Sequence, residues 1–182
     1  VLGALSSLDV WHVSAAAART AIAKARIEID RLERIFSLYR ADSEISRLNA
    51  AGKLGKPSPE LRSLAEFGQR LGAASEGAFD ITVQPLWTLY EEHFWRRREG
   101  ASPDFPARAG DVAERLVGYG RIAAGRASVS FAKEGMAITL NSMAQGLITD
   151  SVTQMLRNEG FETAVIDLGE FRTIGHHPDG RP

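Results

Sequence analysis

Three short stretches carry residue types able to do chemistry. The first is Asp80, set within Gly77-Ala78-Phe79-Asp80-Ile81-Thr82-Val83. A carboxylate flanked by Phe79 and Ile81 is expected to be partly buried, and a buried carboxylate needs hydrogen-bond donors. A ribose hydroxyl, an adenine amino group or local backbone N–H groups would each serve. The second is Asn141-Ser142-Met143-Ala144-Gln145-Gly146, a turn leading into a helix, whose free N–H groups suit a phosphate or pyrophosphate. Gly146 and Gly169 stand where backbone can approach a ligand with no side chain in the way. The third is Tyr39, an aromatic in a polar loop. It reads either as a half-buried ring with a wet hydroxyl or as a stacking surface for a flat ligand.

Two further groups look reactive and read otherwise. His176 and His177 are adjacent, so in an extended chain they point to opposite sides, and no third ligand lies nearby. They read as loop residues. Arg96-Arg97-Arg98 at a helix end suits the helix dipole and solvent, with a grip on phosphate as the alternative.

The elements that must position these residues follow from pattern. Residues 8–13 alternate loosely as a first strand. A long helix follows over residues 15–36, its inner face carried by Ile22, Ala25, Ile29, Leu32 and Phe36, its outer face charged. A short helix over 44–48 follows. Ser58-Pro59-Glu60 opens the next helix with a capping serine, a first-position proline and an acid in the first turn. Residues 79–83 read as a short strand or an extended entry, limited by Pro85 to an edge or to the start of a helix over 87–100. A short helix covers 111–117. Residues 127–132 and 136–140 read as a hairpin around Lys133-Glu134-Gly135. Ile138 and Leu140 then enter the turn at Asn141-Ser142, a helix with Ile148, Val152, Met155 and Leu156 on one face, a stop at Gly160, and a strand over 164–168. Together these predict an α+β fold with a mixed, mainly antiparallel sheet flanked by helices.

The 182 residues fit one compact domain, and the 44% hydrophobic and 25% charged composition supplies a real core. A net charge of -1 provides no basic field, which argues against nucleic acid as a partner. No run is long enough to cross a bilayer. Without cysteine there is no disulfide, thiolate metal site or cysteine nucleophile. The chain starts at Val1 without an initiator methionine or a signal-peptide pattern, which points to a leader or earlier residues removed.

Four segments, in this order and spacing, resemble the ApbE family of FAD:protein FMN transferases. They are Phe36-Ser37-Leu38-Tyr39 with Ser43-Glu44-Ile45-Ser46-Arg47-Leu48-Asn49; Gly77 to Val83 with Pro85-Leu86; Gly118-Tyr119; and Leu140-Asn141-Ser142-Met143-Ala144-Gln145-Gly146 through Asp150, closing on Gly169. The resemblance implies an ApbE-like fold spanning the chain as one domain. It also implies bound FAD and Mg2+, and transfer of FMN to a Thr or Ser hydroxyl of an acceptor flavoprotein with release of AMP. Residue by residue it implies that Tyr39 contacts the flavin moiety, that Ala78, Phe79 and Asp80 hold FAD with Asp80 as the polar anchor, and that Thr139 and Gln145 line the pyrophosphate. The carbonyl of Ser142 would be one magnesium ligand. A periplasmic address follows from family habit. Several positions depart from the pattern: Gln145 stands where lysine or glutamate is frequent, Thr139 where aspartate is frequent, and Glu170 replaces the second glycine of Gly-Gly-Asp. No Met-Gly-Thr signature is recognised in residues 1–9, and the family's Asp/Thr metal ligands and histidine segment lie beyond Pro182. A binding module without catalysis, or a partner-dependent remnant, is therefore the alternative reading.

Overall fold

The computed structural model describes residues 1–95, 108–177 and 179–180. In chain order the elements are β1 (Ser7–Trp11), α1 (Ala15–Phe36), α2 (Glu44–Ala51), β2 (Lys53–Gly55), α3 (Pro59–Ala74), a 3-10 turn (Ile81–Val83), α4 (Gln84–Trp95), α5 (Ala109–Leu116), a second 3-10 turn (Tyr119–Arg121), β3 (Ile122–Ala124), β4 (Ser128–Phe131), α6 (Asn141–Asn158), β5 (Thr163–Asp167) and β6 (Phe171–Ile174). The Arg96-Arg97-Arg98 triplet and the end expected for α4 lie outside the described residues.

Two compact units emerge. One combines residues 1–43 with 141–182, the other is residues 44–140. Every strand pair in both is antiparallel, and the fold is α+β as expected.

In the first unit the sheet order is β1-β5-β6. Leu8 pairs with Ile166, Val10 with Ala164, and Ala164 with Ile174, so these side chains share one face. Ala164, Ile166 and Ile174 on that face are buried. The helices α1 and α6 pack on each other and on the sheet, burying Ala21, Ala25 and Leu32 from α1 and Ile148, Val152 and Leu156 from α6. Ser14 caps α1 by accepting the Ala17 N–H. Gly160 at φ 81° closes α6, and the next N–H, from Phe161, reaches back to the Leu156 carbonyl at 3.0 Å.

In the second unit the sheet order is β2-β4-β3. Ser58 accepts the Leu61 N–H at 3.2 Å, so the capping serine and first-position proline open α3 as the sequence signals. The expected hairpin of residues 127–132 with 136–140 does not form. Both edges of β4 are taken, by β2 and by β3, which leaves residues 136–140 no strand to pair with. Met136, Ile138 and Leu140 are nonetheless fully buried, because their alternation records burial rather than a partner. The Ile138 backbone is satisfied by a side chain: Asn49 Nδ2 donates to its carbonyl at 2.9 Å, and Asn49 Oδ1 accepts its N–H at 2.8 Å. Nor do residues 79–83 form a strand. Asp80 is extended, but its carboxylate accepts the Thr82 N–H at 2.8 Å and starts a 3-10 turn that runs directly into α4.

Within the first unit Glu28 joins its two helices. It accepts from Arg31 Nε at 2.8 Å and from Ser151 Oγ on α6 at 2.7 Å. The Arg31 guanidinium, hydrogen-bonded to it, holds the Glu28 carboxyl below its usual range, with Ser151 adding to the effect. A depressed carboxylate stabilises the fold at neutral pH, and that share is lost as pH falls through its folded-state value. Urea midpoints measured from pH 7 down to pH 3 should therefore fall less steeply in acid for Glu28→Gln than for the wild type. Parallel curves would assign the acid sensitivity to other groups.

Candidate functional site

Residues 75–82 are cross-braced on all sides within the second unit. Ser75 Oγ accepts the Phe79 N–H at 2.9 Å, and the Ser75 carbonyl accepts the Ala78 N–H at 3.0 Å. Asp80 Oδ1 accepts both the N–H and the hydroxyl of Thr82, at 2.8 and 2.6 Å, while Oδ2 accepts the Tyr119 N–H at 2.8 Å. The Ile81 carbonyl accepts the Thr139 N–H at 2.8 Å. Thus Ala78, Phe79 and Asp80 are brought together with the Gly118-Tyr119 turn and with Thr139, three of the sequence segments singled out above. Of the donors considered for Asp80, a local backbone N–H is seen here, that of Thr82; the Thr82 hydroxyl and the distant Tyr119 N–H join it.

Tyr119 is seated from several directions. Gln69 Nε2 donates to its carbonyl at 3.1 Å and to that of Ile122 at 2.8 Å. Its ring lies on Gly72 of α3, where a Cβ would meet Tyr119 Cγ at 2.6 Å.

In the first unit, Tyr39, Gln145 and Gly169 gather around the N-terminal loop. A Cβ on Gly3, which sits at φ 90°, would lie 3.0 Å from the Tyr39 ring. A Cβ on Gly169, at φ 95°, would meet the Gln145 amide at 2.6 Å and Ala4 at 3.2 Å. Leu2 is buried at φ 51°, a conformation unusual for a side-chain-bearing residue, and its N–H donates to Glu33 at 2.9 Å. The Tyr39 ring remains 75% exposed, so one face is available for stacking. Beside it Arg40 pairs with Asp30 at 3.0 Å and with Asp42 at 3.3 Å. The Arg40 guanidinium holds the Asp42 carboxyl below its usual range, an effect that solvent screens at this exposed position.

Ser142 and Gln145 lie in the first two turns of α6, which starts at Asn141 with no intervening turn. Ser142 is exposed, and the space around Gly146 is open. This arrangement suits an anion at a helix start. It suits a cation less. Ser142 offers a single carbonyl, and among the described residues no three His, Asp or Glu side chains are grouped to hold a metal. Magnesium favours octahedral oxygen coordination, which this donor set does not complete. His177 sets its ring edge-on to Trp11, with centroids 5.1 Å apart.

Sequence reasoning missed Thr82, Gly72, Asn49 and the loop formed by Leu2, Gly3 and Ala4. Gly72 carried a legible signal, since glycine inside a helix costs about 1 kcal/mol against alanine and invites a packing reason. The N-terminal loop carried none.

The antiparallel sheets and helices, with the braced Phe-Asp-Ile-Thr turn among them, define an α+β class of protein. Its family follows from comparison: residues 3–182 match the ApbE family model, and the chain belongs to the ApbE family. An FAD:protein FMN transferase of Vibrio cholerae is 30% identical over 164 residues, covering 85% of this chain and 48% of that protein. The Salmonella typhimurium FAD:protein FMN transferase is 25% identical over 189 residues, covering 100% of this chain and 53% of its own length. The chain spans about half the length of these relatives. Among solved structures, a variant of the Vibrio cholerae flavin transferase ApbE superposes with a TM-score of 0.83 at 23% identity, covering 100% of this chain and 62% of the other. The apo Pseudomonas stutzeri flavinyl transferase ApbE gives 0.76 at 24% identity, with coverage of 98% and 64%. These likenesses establish the fold.

The Gly72–Tyr119 contact yields a prediction whose sign depends on magnitude. Alanine at position 72 gains about 1 kcal/mol of helix propensity. Its Cβ, however, strikes the root of an aromatic ring, and overpacking of that kind costs about 1–3 kcal/mol. Gly72→Ala is expected to lower the urea midpoint and to broaden the near-ultraviolet circular dichroism of Tyr119. A variant at least as stable as the wild type, with that signal intact, would show that the ring moves aside freely.

Proposed function

We propose that this chain provides the FAD-binding part of an FAD:protein FMN transferase. In the proposed reaction a Thr or Ser hydroxyl oxygen of an acceptor flavoprotein bonds to the FMN phosphorus, the pyrophosphate bond to AMP breaks, and the hydroxyl proton passes to solvent. The observation that carries the reading is the family match along residues 3–182, onto which the braced Phe-Asp-Ile-Thr turn falls.

In this reading residues 78–80 and Thr139 offer a rigid backbone surface to the dinucleotide. Tyr39 offers a stacking face, and Gln145 with the α6 N-terminus receives the pyrophosphate. Leu2-Gly3-Ala4 takes the place of the Met-Gly-Thr element. These residues act by binding and orientation, the main protein contribution to phosphoryl transfer. Magnesium, when bound, would neutralise charge on the phosphate oxygens, with the Ser142 carbonyl as one ligand. A periplasmic location is part of the proposal and rests on family membership; among the described residues no helix is long and apolar enough to cross a membrane.

A second reading, FAD binding without transfer, draws support from the incomplete metal donor set among the described residues. One pair of measurements separates the two. Titration with FAD, with and without magnesium, should give saturable quenching of flavin fluorescence that weakens at least about tenfold in Tyr39→Ala, an exposed position where the fold is not at risk. Incubation with an acceptor flavoprotein should then yield a covalent flavin adduct and AMP. Binding without adduct at any magnesium concentration selects the second reading, and equal affinity of wild type and Tyr39→Ala removes that residue from the site.

A further inference from the structure

Thr82 is fully buried, and its hydroxyl links two segments distant in sequence. It donates to Asp80 Oδ1 at 2.6 Å and accepts the Gly118 N–H at 2.6 Å. Asp80 Oδ2 takes the next N–H along, from Tyr119, at 2.8 Å. Two consecutive backbone donors are thus held by one hydroxyl and one carboxylate that are themselves bonded together. With the Thr82 N–H also on Oδ1, the carboxylate accepts three donors and has little capacity left for a ligand.

We infer that Thr82 is a positioning residue for the flavin-dinucleotide surface. Its hydroxyl, acting with Asp80, locks the backbone of residues 78–80 against the Gly118-Tyr119 turn, so that this preset backbone meets the ligand and the Asp80 carboxylate does not. The inference rests on the reading above that residues 78–80 border FAD.

The chemistry of the clamp decides which substitutions matter. The hydroxyl donates to Asp80 and accepts from Gly118 through a single atom. Valine has the shape of threonine but does neither, whereas serine does both. A clamp of two parts also fails when either part is lost, so losses at Thr82 and Asp80 should not add.

The test is FAD affinity, measured well below the melting temperature of each variant. The set comprises wild type, Thr82→Val, Thr82→Ser, Asp80→Asn, the Asp80→Asn/Thr82→Val double variant, and Leu64→Ala. Leu64 is buried in α3, makes none of the clamp's hydrogen bonds, and serves as a control for lost stability alone. Thr82→Val is expected to weaken binding roughly tenfold to a hundredfold, the effect of two lost hydrogen bonds. Thr82→Ser should restore it to within about threefold, and the double variant should bind no more weakly than the worse single one, as a shared unit requires. Leu64→Ala should lose melting temperature and keep its affinity. The inference is overturned if Thr82→Val melts lower yet binds FAD like the wild type, or if the Asp80 and Thr82 losses add in full. A wild type that binds no FAD at all would overturn the flavin-transferase reading together with the inference, whereas the two former outcomes leave that reading standing.

Discussion

A partly buried carboxylate has to find donors, and in residues 44–140 that requirement organises the surroundings. Asp80 takes the Thr82 N–H, the Thr82 hydroxyl and the Tyr119 N–H. Each buried donor or acceptor left unmet would cost about 1–3 kcal/mol, a large fraction of the net stability of a domain. The local geometry is therefore strongly determined. The turn at residues 118–119 must come to Asp80, α3 must present a glycine where the Tyr119 ring lands, and Gln69 must reach the Tyr119 carbonyl. A chain of this kind fixes backbone positions more narrowly than apolar packing does, because hydrogen bonds restrict both distance and direction.

Residues 1–43 with 141–182 are organised by a different constraint. There the sheet β1-β5-β6 buries one face under α1 and α6, and the core is mostly apolar, its buried Thr149 and Thr153 hydroxyls bonded to carbonyls one turn back in α6. The constrained places are those where backbone passes close to a side chain. Gly3 lies against Tyr39 and Gly169 against Gln145, both at positive φ, and in neither case is there room for a Cβ without displacing its neighbour. Glycine at these points lets the N-terminal loop lie close to Tyr39 and Gln145.

Much of this was legible in the sequence, and the failures share a physical cause. The bounds of α1 and the cap of α3 were readable because helix periodicity and capping chemistry are local. Residues 136–140 were misread as a hairpin arm because their alternation reports a buried face and not which backbone lies alongside. Asn49, some ninety positions earlier, supplies both hydrogen bonds to Ile138. Of the two readings of residues 79–83, the strand gave way to an extended Asp80 and a 3-10 turn for a related reason, since Asp80 folds its side chain back onto the Thr82 N–H. Of the candidate site, Asp80, Tyr39 and Gln145 stood out by type and context. Thr82 did not, because a buried threonine looks like any other core residue until the Gly118 N–H is placed on it. Leu2 at φ 51° is invisible for the same reason: its conformation is imposed by the Glu33 carboxylate on a distant helix.

The two kinds of order suit different parts of a phosphoryl-transfer task. Holding a dinucleotide in a reactive pose requires backbone that is already in place, since ordering it at binding would subtract from affinity. The clamped turn at residues 78–82 and 118–119 meets that requirement, because the bonds described there are internal to the chain. Charge neutralisation is a separate need, which takes cations or donors aimed at the phosphates. Here the described residues offer the N–H groups of the first turn of α6 and the amide of Gln145, none of which carries a formal charge. On the proposed reading, a surface rigid in its recognition elements and sparing in charge serves binding more than activation, which is why the two are measured separately.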